Sequence, residues 1–405
     1  MFHVGRPRRS GSSATACFVN GASHLRRFVR VRYLDRMVNI PRSLREIDAN
    51  WLTEGLREAG HDAPAITDYR YEPMPGIVGA MGEIGIMRVS YASDTDLPSS
   101  FVAKCPLDDD MARLYNQILR MYPREVGFYR ELAHTVPMNL ARCFVNLSDD
   151  TGDQTVLIIE HVAPSRPGDI LEGTHFAHMM RLVTDMAIMH GRHWMNPQLD
   201  ELPWLIDWDQ PSFQLGIPLV QQAWDGFHAL HPGRMPPAMK AICERTWISD
   251  IDRWLGVYNE RPWTFTHGDY ELDNMLFVPT ADGGEDVVVI DWQTVQRSFP
   301  GTDLAWFLNA SSTDESIARE DELLDRYRTT LAAHGGPEWS RDRLVEDLAV
   351  GSLYWVACQP VPAMQDVTPF GDKAERMSRR FGKFIDSSIA GATRWNMVDV
   401  LDGML

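Results

Sequence analysis

Asp269, Asn274 and Asp291 are the residues of this 405-residue chain whose types and spacing best suit chemistry. The first two lie in FTHGDYELDNMLF, Phe265 to Phe277, and the third ends the apolar run of VVVIDWQ, Val287 to Gln293. A carboxylate just before a strand, with an amide side chain five residues on, suits phosphoryl transfer. Such an aspartate orients and deprotonates an incoming hydroxyl, and the asparagine offers its carbonyl oxygen to Mg2+. A second aspartate, carried 17 residues later by a buried strand, bridges Mg2+ held on nucleotide phosphates. Gly268 lets the backbone pass close to its neighbours. The competing reading is a plain hairpin in which Asp269, Asp273 and Asn274 only make turns. That hairpin has no need of an apolar strand ending in aspartate at this distance.

The elements that must position these groups are readable on either side. SLREIDANWLTEGLREAG predicts an amphipathic helix, with Ser43 or Asp48 as N-cap and Gly60 as the stop. GIVGAMGEIGIMRVSY and SSFVAKCP read as strands joined by the turn-rich ASDTDLP. DDDMARLYNQILRMYPREVGFYREL reads as helix, with Pro123 kinking it or opening a second one. TVLIIE is a short buried strand. Met275–Val278 pairs with Val287–Asp291 across the turn sequence ADGGED, leaving 274 and 291 at opposite ends of the paired strands. Strands cluster before about residue 160 and helices dominate after it. The expected class is α+β, with an N-terminal antiparallel sheet lobe with helix over 37–160 and a mainly helical C-terminal lobe over 161–405.

An apolar content of 44% and a charged content of 23% are those of a soluble globular protein. No apolar run approaches the roughly 20 residues that cross a bilayer, so no membrane span is expected. Cys17, Cys105, Cys143, Cys243 and Cys358 are scattered, with no CxxC pair, which fits a reducing cytoplasm. Residues 1–36 hold eight arginines and a single acid, Asp35, a net +7 that leaves −24 on the rest of a chain of net −17. An acidic body argues against a nucleic-acid partner. The basic start resembles a transit peptide, but is expected to be a disordered leader or translation begun upstream of Met37.

HGDYELDNMLF and VVVIDWQ resemble the catalytic loop and metal-binding motif of the aminoglycoside phosphotransferase and choline kinase superfamily. DWQ, FVAKCP and REVGFYREL are most similar to its ecdysteroid kinase-like branch and bacterial relatives. The resemblance runs from about Met37 to the C-terminus and is strongest over 265–310. It implies a two-lobed protein-kinase-like fold that uses ATP and Mg2+ to phosphorylate a small-molecule hydroxyl. Asp269 is then the base, and Asn274 and Asp291 are the metal ligands. His267 braces the loop, and Asp303 in GTDLAWFL anchors its backbone. Lys104, in an apolar strand, needs a partner or ligand and is expected at the phosphates. Its partner is Glu125, from the E-V-x-F-Y pattern, with Glu131 as the fallback. Glu160, His161 and Val162 stand where an adenine-binding hinge belongs. Gly76, Gly79, Gly82 and Gly85 do not form G-x-G-x-x-G; they either cover the phosphates or let two strands bend.

His175 with His178, and His190 with His193, share an H-x-x-H spacing without the glutamate of a zinc hydrolase. His190 is expected to be a hydrogen-bonded core residue. The 13 tryptophans and 20 methionines either pack the core or line an apolar pocket. The second reading, through Trp194, Trp208, Trp306 and Trp355, favours a steroid- or terpenoid-like alcohol as acceptor. Its alternatives are an aminoglycoside- or choline-type cation, or a nucleotide-binding pseudokinase. A protein kinase is disfavoured by HGD in place of HRD and by the lack of an A-P-E segment.

Overall fold

The computed structural model describes residues 38–74, 82–209, 211–364 and 367–405. The leader, Gly76 and Gly79 lie outside these residues. Five antiparallel strands form the first sheet, in the order Ile66–Pro73, Gly82–Tyr91, Ser100–Pro106, Thr155–Glu160, Cys143–Ser148. Alternation along Ser100–Pro106 sends Phe101, Ala103 and Cys105 into a core shared with Leu52 and Leu56. Val102 and Lys104 therefore face the other way. Val102 meets Val126, Leu157 and Ile159 there. TVLIIE has both faces covered, with Val156 and Ile158 on one side and Leu157 and Ile159 on the other.

Asp48 caps the helix Ala49–Glu58 by accepting from Trp51 N at 2.8 Å, while Ser43 caps the separate turn Leu44–Glu46. Of the two alternatives the second holds: there are two helices, Asp110–Leu119 and Met121–Gly127. The break falls at Arg120, whose φ of 50° is left-handed. Pro123 sits in the first turn of the second helix, where its missing N–H costs little.

The second half is mainly helical around a small sheet. Met275–Pro279 pairs antiparallel with Glu285–Val289, with Val289 opposite Met275. The ends that are opposite along the chain therefore share one edge, and Ile290 N reaches Asn274 O at 2.9 Å. The ladder stops at Val289, two residues short of the expected strand end. Asp291 is turned out of it by a left-handed φ of 64°. Thr264–Thr266 pairs with Gln296–Ser298 beside it.

The helix Gly301–Ala310 is buried at every residue. It crosses Arg341–Cys358 so closely that a Cβ on Gly301 would lie 2.2 Å from Asp347 O. Trp208, Trp306 and Trp355 belong to this core, which corrects their assignment to a pocket wall. Trp306 stacks on Trp355 at 4.2 Å, and Trp208 meets Tyr258 and Tyr354 edge-on. Trp194 packs edge-on against Trp339. Among the described residues no helix is long and apolar enough to cross a membrane.

Candidate active site

The strand Thr264–Thr266 delivers the chain into a loop whose backbone is held by one carboxylate. His267 N and Gly268 N donate to the two oxygens of Asp303 at 2.6 and 2.7 Å. Asp303 lies in the first turn of Gly301–Ala310 and is wholly buried. His190 reaches it at 3.4 Å and Tyr327 at 2.7 Å, so His190 is a hydrogen-bonded core histidine. Gly268 has φ +82°, and a Cβ there would sit 2.1 Å from Thr294 O, so only glycine fits.

His267 ties this loop to the hairpin. Its Nε2 lies 3.2 Å from Ile290 O, and its Nδ1 accepts from Asp269 N at 3.3 Å. A carbonyl can only accept and an amide N–H can only donate, so the ring is neutral with its proton on Nε2. Burial lowers its pKa in the same direction.

Asp269 is gripped at both oxygens. Oδ1 accepts from Trp306 Nε1 at 2.9 Å and Oδ2 from Asn274 Nδ2 at 3.0 Å. Asn274 Nδ2 also donates to Asp269 O at 2.8 Å. Both amide contacts use the nitrogen, so the oxygen of Asn274 remains the group able to bind a cation. Burial pushes the Asp269 carboxyl above its ordinary value, and the Arg380 guanidinium opposes this.

Lys104 joins the sheet to this edge. Its Nζ donates to Glu125 Oε1 at 2.8 Å and to Asp291 Oδ1 at 3.0 Å. Burial works against its charge, but the Asp291 and Glu125 carboxylates outweigh burial and hold its pKa above the ordinary value. Asp291 Oδ2 accepts from Gln293 Nε2. The helix carrying Glu125 is locked to this turn where Phe128 stacks on Trp292 at 4.0 Å. Glu131, the fallback partner, instead accepts from Trp204 Nε1.

Asp269, Asn274, His267 and Asp303 are thus linked to Asp291, Lys104 and Glu125 through the backbone of Ile290. The residues expected at an adenine-binding hinge stand apart from that network. Glu160 bonds Arg142 through both its backbone N and its side chain, and His161 Nδ1 lies 3.0 Å from Ser100 Oγ. Val162 packs beside Val102. Gly85 makes room for a neighbour, since a Cβ there would lie 2.2 Å from the Tyr71 ring.

Three contacts went unread in the sequence. Trp306 stands one turn after Asp303 and so on the same helix face, a spacing that could have revealed it. Arg380 comes from the helix Ala374–Arg394 and donates to Asp273 Oδ2 and Glu271 Oε1, each at 2.6 Å. Arg124 donates through Nε to Gln293 O at 3.1 Å. No local spacing announces either arginine.

Comparison with known proteins agrees with this geometry. A family model described as the phosphotransferase enzyme family matches residues 121–344. An N-acetylmuramate/N-acetylglucosamine kinase of Caulobacter vibrioides is 35% identical over 90 residues, 22% of this chain. The chain matches only 23% of that protein's length. A Ralstonia eutropha structure described as an aminoglycoside phosphotransferase has a TM-score of 0.51 at 16% identity, covering 86% of this chain and 98% of that one. A choline kinase of Streptococcus pneumoniae has a TM-score of 0.42 at 12% identity, covering 79% and 95%. The Ralstonia likeness extends the two-lobed, kinase-like fold across most of the chain, and the family model alone spans more than half of it: the chain belongs to the phosphotransferase enzyme family.

Proposed function

We propose that this protein is an ATP- and Mg2+-dependent kinase that transfers the γ-phosphoryl group to a hydroxyl of a small molecule. The observation that carries this is that Lys104, Glu125 and Asp291 meet the loop of Asp269 and Asn274 through Ile290, which precedes Asp291; Ile290 N donates to Asn274 O and Ile290 O faces His267 Nε2. Residues 37–160 form the nucleotide lobe in this reading, with adenine at Glu160–Val162, and 161–405 form the acceptor lobe. Lys104 spends two of its three N–H donors on Glu125 and Asp291, which leaves one for a phosphate oxygen.

The Asp291 carboxylate and the Asn274 carbonyl oxygen are hard donors of the kind Mg2+ takes, and they would hold it. Bound there, Mg2+ supplies charge neutralisation at the phosphates. Asp269 accepts the acceptor's hydroxyl proton as that oxygen bonds to phosphorus and the bond to ADP breaks. Burial favours this step, because a carboxyl pushed upward is a stronger base. His267 and Asp303 hold the loop in place.

The acceptor is proposed only as a hydroxylated small molecule. An apolar alcohol has no support beyond the resemblance to the ecdysteroid kinase-like branch, because Trp208, Trp306 and Trp355 pack in the core. ADP release with Mg2+ and ATP is to be measured against amino sugars, aminoglycosides, choline and sterols. The amino-sugar arm is prompted by the Caulobacter relative. ATP binding without ADP release on any arm would favour the pseudokinase reading. No ATP binding at all would sink the proposal.

A further inference from the structure

Arg124 is only 3% exposed, yet among the described residues it forms no ion pair. Its one hydrogen bond runs from Nε to Gln293 O, two residues beyond Asp291. Burial pulls against its charge, and no carboxylate offsets that pull. The contrast within this protein is direct. Arg261, about as buried, donates to Asp347 Oδ1, and Arg380 is clasped by Glu271 and Asp273. A buried charge without a partner is costly, so its presence calls for a ligand.

The surroundings say which way the guanidinium faces. Arg124 and Glu125 are neighbours on one helix, so their side chains diverge by about 100°. Glu125 points to Lys104 and the sheet. Arg124 points to the turn after Asp291, and it feels the charge of Tyr354 on the helix Arg341–Cys358. Tyr354 has its ring fixed edge-on by Trp208, Trp247 and Trp355. Burial raises its phenol pKa, while Arg124 pulls that pKa down and Asp269 pushes it up. The phenol therefore lies in the fields of both charges.

We infer that the two free η nitrogens of Arg124 form a phosphate-type oxyanion site beside the turn that follows Asp291, filled by the γ-phosphoryl group of ATP. A fork of parallel N–H donors matches two phosphate oxygens, and it would neutralise charge on the group in transit in addition to Lys104. The γ-phosphoryl assignment rests on the kinase reading above; the oxyanion site does not.

The test compares wild type with Arg124→Gln and Arg124→Lys, using ATP, ADP, AMP-PNP and orthophosphate as probes. Arg124→Gln should weaken ATP binding about 10- to 100-fold and ADP binding less than about threefold. Arg124→Lys, which keeps the charge and loses the fork, should fall between and serves if the glutamine variant does not fold. Orthophosphate alone should raise the wild-type Tm and leave that of Arg124→Gln unmoved. A merely structural tie to Gln293 would weaken ATP and ADP alike, and an unchanged ATP-to-ADP ratio in both variants overturns the proposal. Orthophosphate that still stabilises through Arg124 on top of saturating AMP-PNP would assign the site to an acidic group of the acceptor and overturn the γ-phosphoryl assignment. A wild type that binds orthophosphate through Arg124 but no nucleotide would keep the oxyanion site and overturn the kinase reading.

Discussion

Trp306 donates its indole N–H to Oδ1 of Asp269 at 2.9 Å, from a ring stacked on Trp355 at 4.2 Å. A residue expected to cradle an apolar acceptor therefore holds the proposed base. This bond favours the ionised carboxylate and so lowers the pKa that burial raises. In Trp306→Phe the ring stays and the donor goes, so the Asp269 pKa should rise further. A base must be deprotonated to act, so the acid limb of the kcat profile should move to higher pH. At neutral pH kcat should fall about tenfold or more, with the KM for ATP nearly unchanged. A pH–rate profile that matches wild type would remove Trp306 from the mechanism.

Asp269→Asn and Asp291→Asn should separate two roles that share one edge. The first keeps the shape and removes the proton acceptor. Turnover should drop by orders of magnitude while ATP binding stays close to wild type. The second removes the anionic ligand proposed for Mg2+ and should abolish transfer along with the Mg2+ dependence of nucleotide binding. Calorimetric titrations with and without Mg2+ distinguish the two, and a variant Asp269→Asn with near-normal turnover rejects the base assignment.

Lys104→Met should damage both nucleotide handling and stability. Glu125 and Asp291 lose the ammonium between them, and Glu125 is 5% exposed. Burial already raises its carboxyl above the ordinary value, and Lys104 is the main force opposing that. A carboxyl whose folded pKa lies above its unfolded one loses stability as pH rises through that interval. The penalty of Lys104→Met should therefore be larger at pH 8 than at pH 5. Urea unfolding at the two pH values checks the sign, and a pH-independent penalty would contradict it.

What is legible in the sequence is local in chemistry and period. Asp269 and Asn274 are five residues apart, and the period of two along Ser100–Pro106 leaves Lys104 opposite Phe101, Ala103 and Cys105. Glu125 is marked by its E-V-x-F-Y pattern, although it lies on the second helix after the strand of Lys104. What depends on tertiary approach is missed or misplaced. A count of tryptophans does not separate a pocket from a core, and it took the Trp306–Trp355 stack to decide. Asp291 was read as the end of a strand because its left-handed φ leaves no mark in an apolar run. Arg380 lies 107 residues from Asp273, beyond the reach of any spacing rule.

Arg380 makes the last prediction. It bridges Glu271 and Asp273, both within the turn that leads from Asp269 to Asn274. Glu271 is fully buried, and its Oε2 has no hydrogen-bond partner. Burial drives the Glu271 carboxyl well above its ordinary value, with Arg380 as the opposing charge. Arg380→Met would leave that carboxyl without compensation, at a cost of about 3–5 kcal/mol in unfolding free energy. Asp269 would also lose the charge that opposes its own upward shift, so the acid limb of the rate profile should move to higher pH. Pairing Arg380→Met with Glu271→Gln removes the uncompensated carboxyl and should recover most of the stability. The double variant should keep the shifted limb, because Asp269 still lacks its opposing charge. Urea unfolding and pH–rate profiles on the single and double variants read the two effects separately. Recovery of both together would show that Arg380 acts only by holding the loop, and recovery of neither would place its main role elsewhere.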